Sequence, residues 1–269
     1  MVSKNSEWLM QGFVRAPEVV LSHIDLVVIA MFGSYAEDGE LQRLLTRYNV
    51  PFVGADAWQS SVCLHKKMAK DQVRTFDIPT LKHFTLHKAT VDNLVTTATA
   101  AAELFGPDFY VKPLRGALGD GVFACTGITE LAQTLEKLFK VYDEVIVEER
   151  KSGRVVTCGV AENLRGQSLY TTPVTELVDE NTSDVVVPAR ISRAARDKVS
   201  AMTKHIHAGL GLRHFSESDF IVDDKENIFY LESNSLPSLH NNSSYAAGLE
   251  AFGVTPEEFL TNLLVQAGV

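Results

Sequence analysis

Apolar residues run without interruption from Leu26 to Phe32, which predicts a fully buried strand over residues 25–32. The glycine-bounded stretch 33–39 predicts a turn. Leu41, Leu44, Leu45 and Tyr48 then recur at helical spacing, predicting a helix over 40–48. Pro51-Phe52-Val53 predicts a short strand, so the order strand–loop–helix–strand is that of part of a parallel α/β sheet. Residues before Asp25 carry no clear pattern.

Further along, the pattern predicts a helix over 60–76, stopped by Ile78-Pro79 because proline disfavours helix in the residue before it. It predicts an Ala- and Leu-rich helix over 91–105, ended by Gly106-Pro107. Strands follow at 109–112 and 122–125 around the loop Arg115–Gly121, then a helix capped by Thr129 that runs to Val141. Strands at 144–149 and 155–160 flank the turn Lys151-Ser152-Gly153, and 179–187 reads as a polar loop. Ser192 caps a helix to Ala208, closed by Gly209. Two apolar runs, 215–222 and 228–234, flank Asp223-Asp224-Lys225-Glu226-Asn227 as a hairpin. Thr255-Pro256-Glu257-Glu258 starts a last helix to Gln266.

Composition narrows the class. A chain of 269 residues, 45% hydrophobic and 22% charged, is expected to bury a core. Its longest apolar run falls far short of the roughly 18–20 residues of a membrane span, and no secretory leader is visible in Met1–Trp8. The net charge of -9 argues against nucleic acid as the main partner, although it leaves room for a local basic pocket. Cys63, Cys125 and Cys158 are scattered and suit a reducing compartment.

Candidate chemistry begins at Lys112, which ends a strand before Pro113. The following Arg115-Gly116-Ala117-Leu118-Gly119-Asp120-Gly121 has three glycines, so its backbone can approach an anion closely; a plain hairpin turn is the bland alternative. It is neither a Walker A loop nor a GxGxxG opening a helix. Lys66 lies on a helix with Lys67 and Lys70, a pattern that alone reads as a solvated basic face. Glu148 and Glu149 end a strand, as surface charges or as acceptors for a nucleotide. On the hairpin, Glu232 and Asn234 share one strand face, and a suitable register adds Asp219. Three oxygen donors suit Mg2+, though an exposed hairpin face is the alternative. His205 and His207 point two ways on a helix, Cys63 and His65 have no orienting partner, and His240–Tyr245 reads as a substrate-lining stretch or a loop.

These signals share the order of one family. Ala36-Glu37-Asp38-Gly39-Glu40-Leu41-Gln42 resembles its GEDGxLQ segment. Pro51-Phe52-Val53-Gly54, Lys66, Val111-Lys112-Pro113, Asp143–Glu149, Asp219-Phe220 and Leu231-Glu232-Ser233-Asn234-Ser235-Leu236-Pro237 follow in sequence. From Asp25 onward the chain resembles the ATP-grasp ligases, and among them the D-alanine–D-alanine ligases. The resemblance implies an α/β (α+β) ATP-grasp fold with a shortened N-terminal parallel α/β lobe at 1–58, a central subdomain at 59–142 and a C-terminal subdomain at 143–269. It implies ATP held by Lys66, Lys112, Arg115, Gly116, Gly119, Gly121, Glu148 and Glu149. Mg2+ or Mn2+ would sit on Asp219, Glu232 and Asn234, and Glu37, Asn234 and Ser238 would serve catalysis. The implied reaction joins a carboxylate and an amine, both small molecules, through an acyl phosphate. Also implied are a cytoplasmic location, peptidoglycan biosynthesis and, by analogy, a homodimer, with no nucleic-acid or membrane partner.

The chain departs from that pattern at several points. Phe32-Gly33 replaces a histidine–glycine pair, and RGALGDG replaces a serine-containing loop resembling REGSSxG. Val155 stands where a ribose-binding carboxylate is implied, Glu217 where an arginine would face the tetrahedral oxyanion, and Ser238 where a glycine would complete its hole. A strand, glycine loop and helix that help to bind the first substrate are expected to be absent. The alternative implied by these departures is a degenerate ATP-grasp protein that binds Mg-ATP without ligating D-alanine.

Overall fold

The computed structural model describes residues 16–31, 33–116, 121–179, 184–241 and 243–268. It confirms the α/β (α+β) class. Helix α1 (Pro17–Leu21) precedes strand β1 (Val27–Val28), helix α2 (Glu40–Arg47) and strand β2 (Phe52–Val53), with β1 and β2 parallel. The strand predicted over 25–32 is much shorter. Only Ile29 is buried in its described part, and Ala30 and Met31 are exposed. An apolar run is buried on both faces only where layers cover both, and β1 has β2 as its one neighbour among the described residues.

Helices α3 (Ala57–Leu64) and α4 (Lys66–Arg74) replace the single helix predicted over 60–76. His65 breaks it with extended dihedrals of φ -89° and ψ 93°. It bridges to Arg115, the Lys66 N–H donates to the Leu114 carbonyl at 3.1 Å, and the His65 ring accepts from the Met68 N–H at 3.3 Å. Tertiary pairing thus outweighs helix continuity and starts α4 at Lys66.

A four-stranded antiparallel sheet follows, ordered β3 (His83–His87), β6 (Glu144–Glu149), β4 (Asp108–Pro113), β5 (Phe123–Thr126). Helices α5 (Leu94–Phe105), capped by Asn93, and α6 (Gly127–Leu138) bury Ala98, Ala101, Leu131 and Leu135 in one core with Phe109, Val111 and Val147. Thr126, not Thr129, precedes α6, and its N–H donates to the Glu130 carboxylate at 2.8 Å.

The larger sheet contains β7 (Arg154–Glu162), β8 (Leu169–Thr171), β9 (Thr175–Asp179), β10 (Asp184–Val186), β11 (Phe215–Val222) and β12 (Ile228–Asn234). Its order is β10-β9-β7-β11-β12, with β8 also on β7. The region predicted as a polar loop over 179–187 therefore includes edge pairing of β9 with β10. Helices α3, α4 and α7 (Arg193–Gly209) pack in its core around Val62, Val73, Val156, Val199, Phe220 and Tyr230. Helices α8 (Ser244–Ala251) and α9 (Pro256–Gln266) join β1, β2 and α2 in a third core containing Ile29, Leu45, Val53, Phe215, Tyr245 and Phe259. Ser192 and Thr255 cap α7 and α9 as expected, and the hairpin strands match their predicted ranges. Helix α8, capped by Ser243, was not expected. Helices α3 and α4 pack with the larger sheet, and β6 lies in the smaller. Among the described residues no helix is long and apolar enough to cross a membrane.

Candidate functional site

The site forms where α4, the end of β4 and the β11–β12 hairpin approach one another. Lys66 and Lys70 are one helical turn apart on α4, so they share a face, and both are buried. The solvated basic face expected here is confined to Lys67, which pairs with Asp71. Lys70 was not singled out from sequence. Its spacing from Lys66, beside buried Ala69 and Val73, was the available signal.

Lys70 Nζ lies 2.9 Å from Glu148 and donates to the Leu231 carbonyl at 2.8 Å. Lys112 Nζ reaches the other Glu148 oxygen, also at 2.9 Å. Burial alone would raise the Glu148 carboxyl, but Lys112 and Lys70 outweigh it and hold the group well below the usual carboxylate range. Burial likewise opposes the Lys112 charge, and Glu148 reverses that effect, raising the ammonium above its ordinary value. Lys70, with no exposure at all, is pulled down by burial. Two lysines share one carboxylate, which leaves a positive charge for an anionic ligand.

Lys66 Nζ pairs with Glu232 at 2.9 Å and donates to the Gly116 carbonyl at 3.0 Å, tying the loop after β4 to the hairpin. Gly121 re-enters beyond the loop at φ 79°, and a Cβ there would meet the Pro113 ring at 2.8 Å. Gly119, with Leu118 and Phe32, lies outside the described residues. Arg115 is exposed beyond its bridge to His65.

The hairpin register, left open by the sequence, shifts by one at a bulge between Asp219 and Phe220. Asp219 stands opposite Glu232, and Glu217 opposite Asn234. Asp219 accepts from Thr157 Oγ1 at 2.6 Å. Burial, then the Glu232 charge, pushes its carboxyl up to about 7. Glu232 goes the other way: burial would raise it, but Lys66 and Lys112 hold it low. Among the described residues no group of three or more His, Cys, Asp and Glu is arranged to hold a metal ion. The expected set is sparser, two carboxylates and the Asn234 amide. That set fits Mg2+, which keeps several waters and takes substrate phosphates, and a cation would offset the burial cost at Asp219.

Glu37 is 3% exposed, and neither carboxylate oxygen has a hydrogen-bond partner among the described residues. Burial raises its carboxyl. It lines a pocket with Ser60, Lys66, Gly116, Glu232 and Asn234. Glu149 points to the opposite strand face from Glu148 and accepts from the Lys82 N–H at 3.0 Å, away from this pocket. Ser238 sits in the loop before α8, its carbonyl accepting from Ser243 Oγ. Other candidates are structural. His207 bonds Ser216 at 2.7 Å, His205 stacks on Phe76, and burial lifts the Cys63 thiol to about 12.

Known proteins resemble this chain in sequence and in fold. Residues 72–265 match the family described as D-ala D-ala ligase C-terminus. D-alanine–D-alanine ligase A of Escherichia coli strain K12 is 28% identical over 254 residues, spanning 91% of this chain and 69% of that protein. D-alanyl-alanine synthetase A of Vibrio cholerae superposes with a TM-score of 0.82 at 24% identity, over 91% of this chain and 76% of that one. A Bacillus anthracis D-alanine–D-alanine ligase complexed with ATP gives 0.78 at 22%, over 91% and 79%.

Proposed function

The chain belongs to the D-ala D-ala ligase C-terminus family, and from that premise we propose that it is an ATP-dependent carboxylate–amine ligase working through an acyl phosphate. The observation that carries the reading is the buried Lys70–Glu148–Lys112 group beside Asp219, Glu232 and Asn234. Lys112 and Lys66 meet the phosphates of ATP, with the backbone of Arg115, Gly116, Gly119 and Gly121 closing over them. Glu148 acts through the lysines it holds, so the adenine is met by backbone beside it. Lys70 fixes that carboxylate and joins α4 to β12.

Asp219, Glu232 and Asn234 would hold Mg2+ or Mn2+, which when bound would spread charge on the transferring phosphoryl group. A substrate carboxylate attacks the γ-phosphorus of ATP, releasing ADP and forming an acyl phosphate. An amine then attacks that carbonyl through a tetrahedral intermediate and expels phosphate. Glu148 raises the Lys112 ammonium above its ordinary value, which favours the charged form that meets phosphate. Glu37 presents a buried carboxyl group to the substrate pocket, which Asn234 also lines, and Ser238 follows on the chain in the loop before α8. The substrates are amino acids or similar small molecules, with D-alanine the first choice by family. The free, buried Cys63, Cys125 and Cys158 suit a cytoplasmic setting. Peptidoglycan biosynthesis and a homodimer rest on family membership alone.

The test is phosphate release from Mg-ATP across a panel of D- and L-amino acids. Release should rise with D-alanine or another panel member. A flat panel, with ATP binding intact and lost on Lys112→Ala, would leave a nucleotide-binding protein instead.

A further inference from the structure

A second cavity, of about 350 Å³, opens where the chain between β8 and β9 meets α7 and the end of α8. It shares no lining residue with the pocket at Glu37. Its volume lies at the small end of the roughly 300–1,000 Å³ of ligand pockets, which suits a molecule of amino-acid size better than a nucleotide. One wall is apolar. Pro173, Val174, Val187 and Pro188 line it, with Phe252, which is 55% exposed. A side chain laid there would take aromatic surface out of water.

The opposite wall is α7, which contributes Arg196, Asp197 and Ser200. Arg196 is held from one side only: Nη1 donates to the Ala189 carbonyl at 2.9 Å and the Ile191 carbonyl at 3.1 Å. These bonds fix the guanidinium. Its Nε and Nη2 have no hydrogen-bond partner among the described residues. That pair is the fork that takes a carboxylate with two parallel bonds. Elsewhere in the chain the same two atoms do so: Arg165 binds Glu258 at 2.7 and 2.8 Å, and Arg190 binds Glu176 at 3.0 and 2.8 Å. Asp197, the next residue, faces only Arg193 at 3.8 Å, with side chains 73% and 90% exposed. So open a contact holds little energy, and the Asp197 carboxylate is available to an ammonium.

We propose that this cavity binds a free α-amino acid with an apolar side chain. Its carboxylate sits on the Nε and Nη2 of Arg196, its ammonium on Asp197, and its side chain against Val174, Val187 and Phe252. An α-amino acid carries both charges on one carbon, which matches opposite charges on consecutive residues beside an apolar wall. A phosphate ester would meet repulsion from Asp197, and a glycine would leave the apolar wall wet.

The experiment is calorimetric titration of the full chain with leucine, each enantiomer separately, and with glycine, 4-methylpentanoate and 3-methylbutylamine. These three lack the side chain, the ammonium and the carboxylate in turn. One enantiomer of leucine should bind at least about tenfold tighter than any of the three. Arg196→Gln and Asp197→Asn should each weaken leucine about tenfold or more. Arg196→Gln also removes the bonds to Ala189 and Ile191, so Ala251→Trp, which fills the cavity from an exposed lining position, serves as the independent variant and should abolish binding. No binding of either enantiomer, equal binding of all the probes, or leucine affinity unchanged in Asp197→Asn and Ala251→Trp overturns the inference. The last result would place leucine in the pocket at Glu37. None of these readouts depends on turnover, so they stand apart from the ligase reading.

Discussion

Lys70 and Glu148 form an ion pair at 2.9 Å in which the two side chains are 1% and 0% exposed. A pair so dry costs desolvation that attraction only partly returns, so its retention fits a role in setting charge for a ligand. Lys70→Met leaves Glu148 with Lys112 alone. Thermal or urea denaturation should show a loss near the lower end of the about 3–5 kcal/mol typical of breaking buried pairs. Affinity for ATP should fall with it, and an unchanged affinity would limit Lys70 to stability.

Acid should weaken the same contact. Glu148 is depressed below its ordinary value of 4.5, so its contribution is complete above that pH and is lost as pH falls. Thermal midpoints measured from pH 7 downward should drop more steeply in the wild type than in Lys70→Met, where less depression remains to be lost.

Asp219 carries the prediction about metal. Asp219→Asn removes a charged oxygen from the set with Glu232 and Asn234. The Mg2+ concentration for half-maximal phosphate release should rise at least on the order of 10–100-fold, the loss seen even for outer-shell partners of metal sites. A curve identical to wild type would place the cation elsewhere.

Gly159 tests the packing behind the site. Gly159→Ala drives a methyl into the Tyr245 ring, at 2.5 Å, with the Thr172 methyl 3.1 Å away. Denaturation should show a cost of about 1–3 kcal/mol. Tyr245→Phe, which loses the bond to Val160, should cost about 1 kcal/mol.

Much of this arrangement was legible in the chain. Turn residues 223–227 and the two apolar runs located the hairpin, but its register stayed open: the pairing that runs out from the turn shifts at a bulge between Asp219 and Phe220, and that shift sets Asp219 opposite Glu232. Caps at Ser192 and Thr255 located helix starts directly. What failed was non-local. The break at His65 comes from pairing with Arg115, fifty residues away in sequence, which no helical pattern encodes. Lys70 looked like a surface charge because its partner Glu148 sits on a different sheet from β12, whose Leu231 carbonyl it also meets. The strand β1 was overextended because an apolar run reports hydrophobicity and not whether a second layer covers it.

The central claim is transfer of a phosphoryl group to a substrate carboxylate. It is tested most directly by supplying D-alanine, or whichever carboxylate of the panel supports turnover, labelled with oxygen-18 in the carboxylate that is to be activated. Ligation through an acyl phosphate predicts that the phosphate released from Mg-ATP carries one labelled oxygen. Released phosphate without label, its new oxygen drawn from water, would contradict the account.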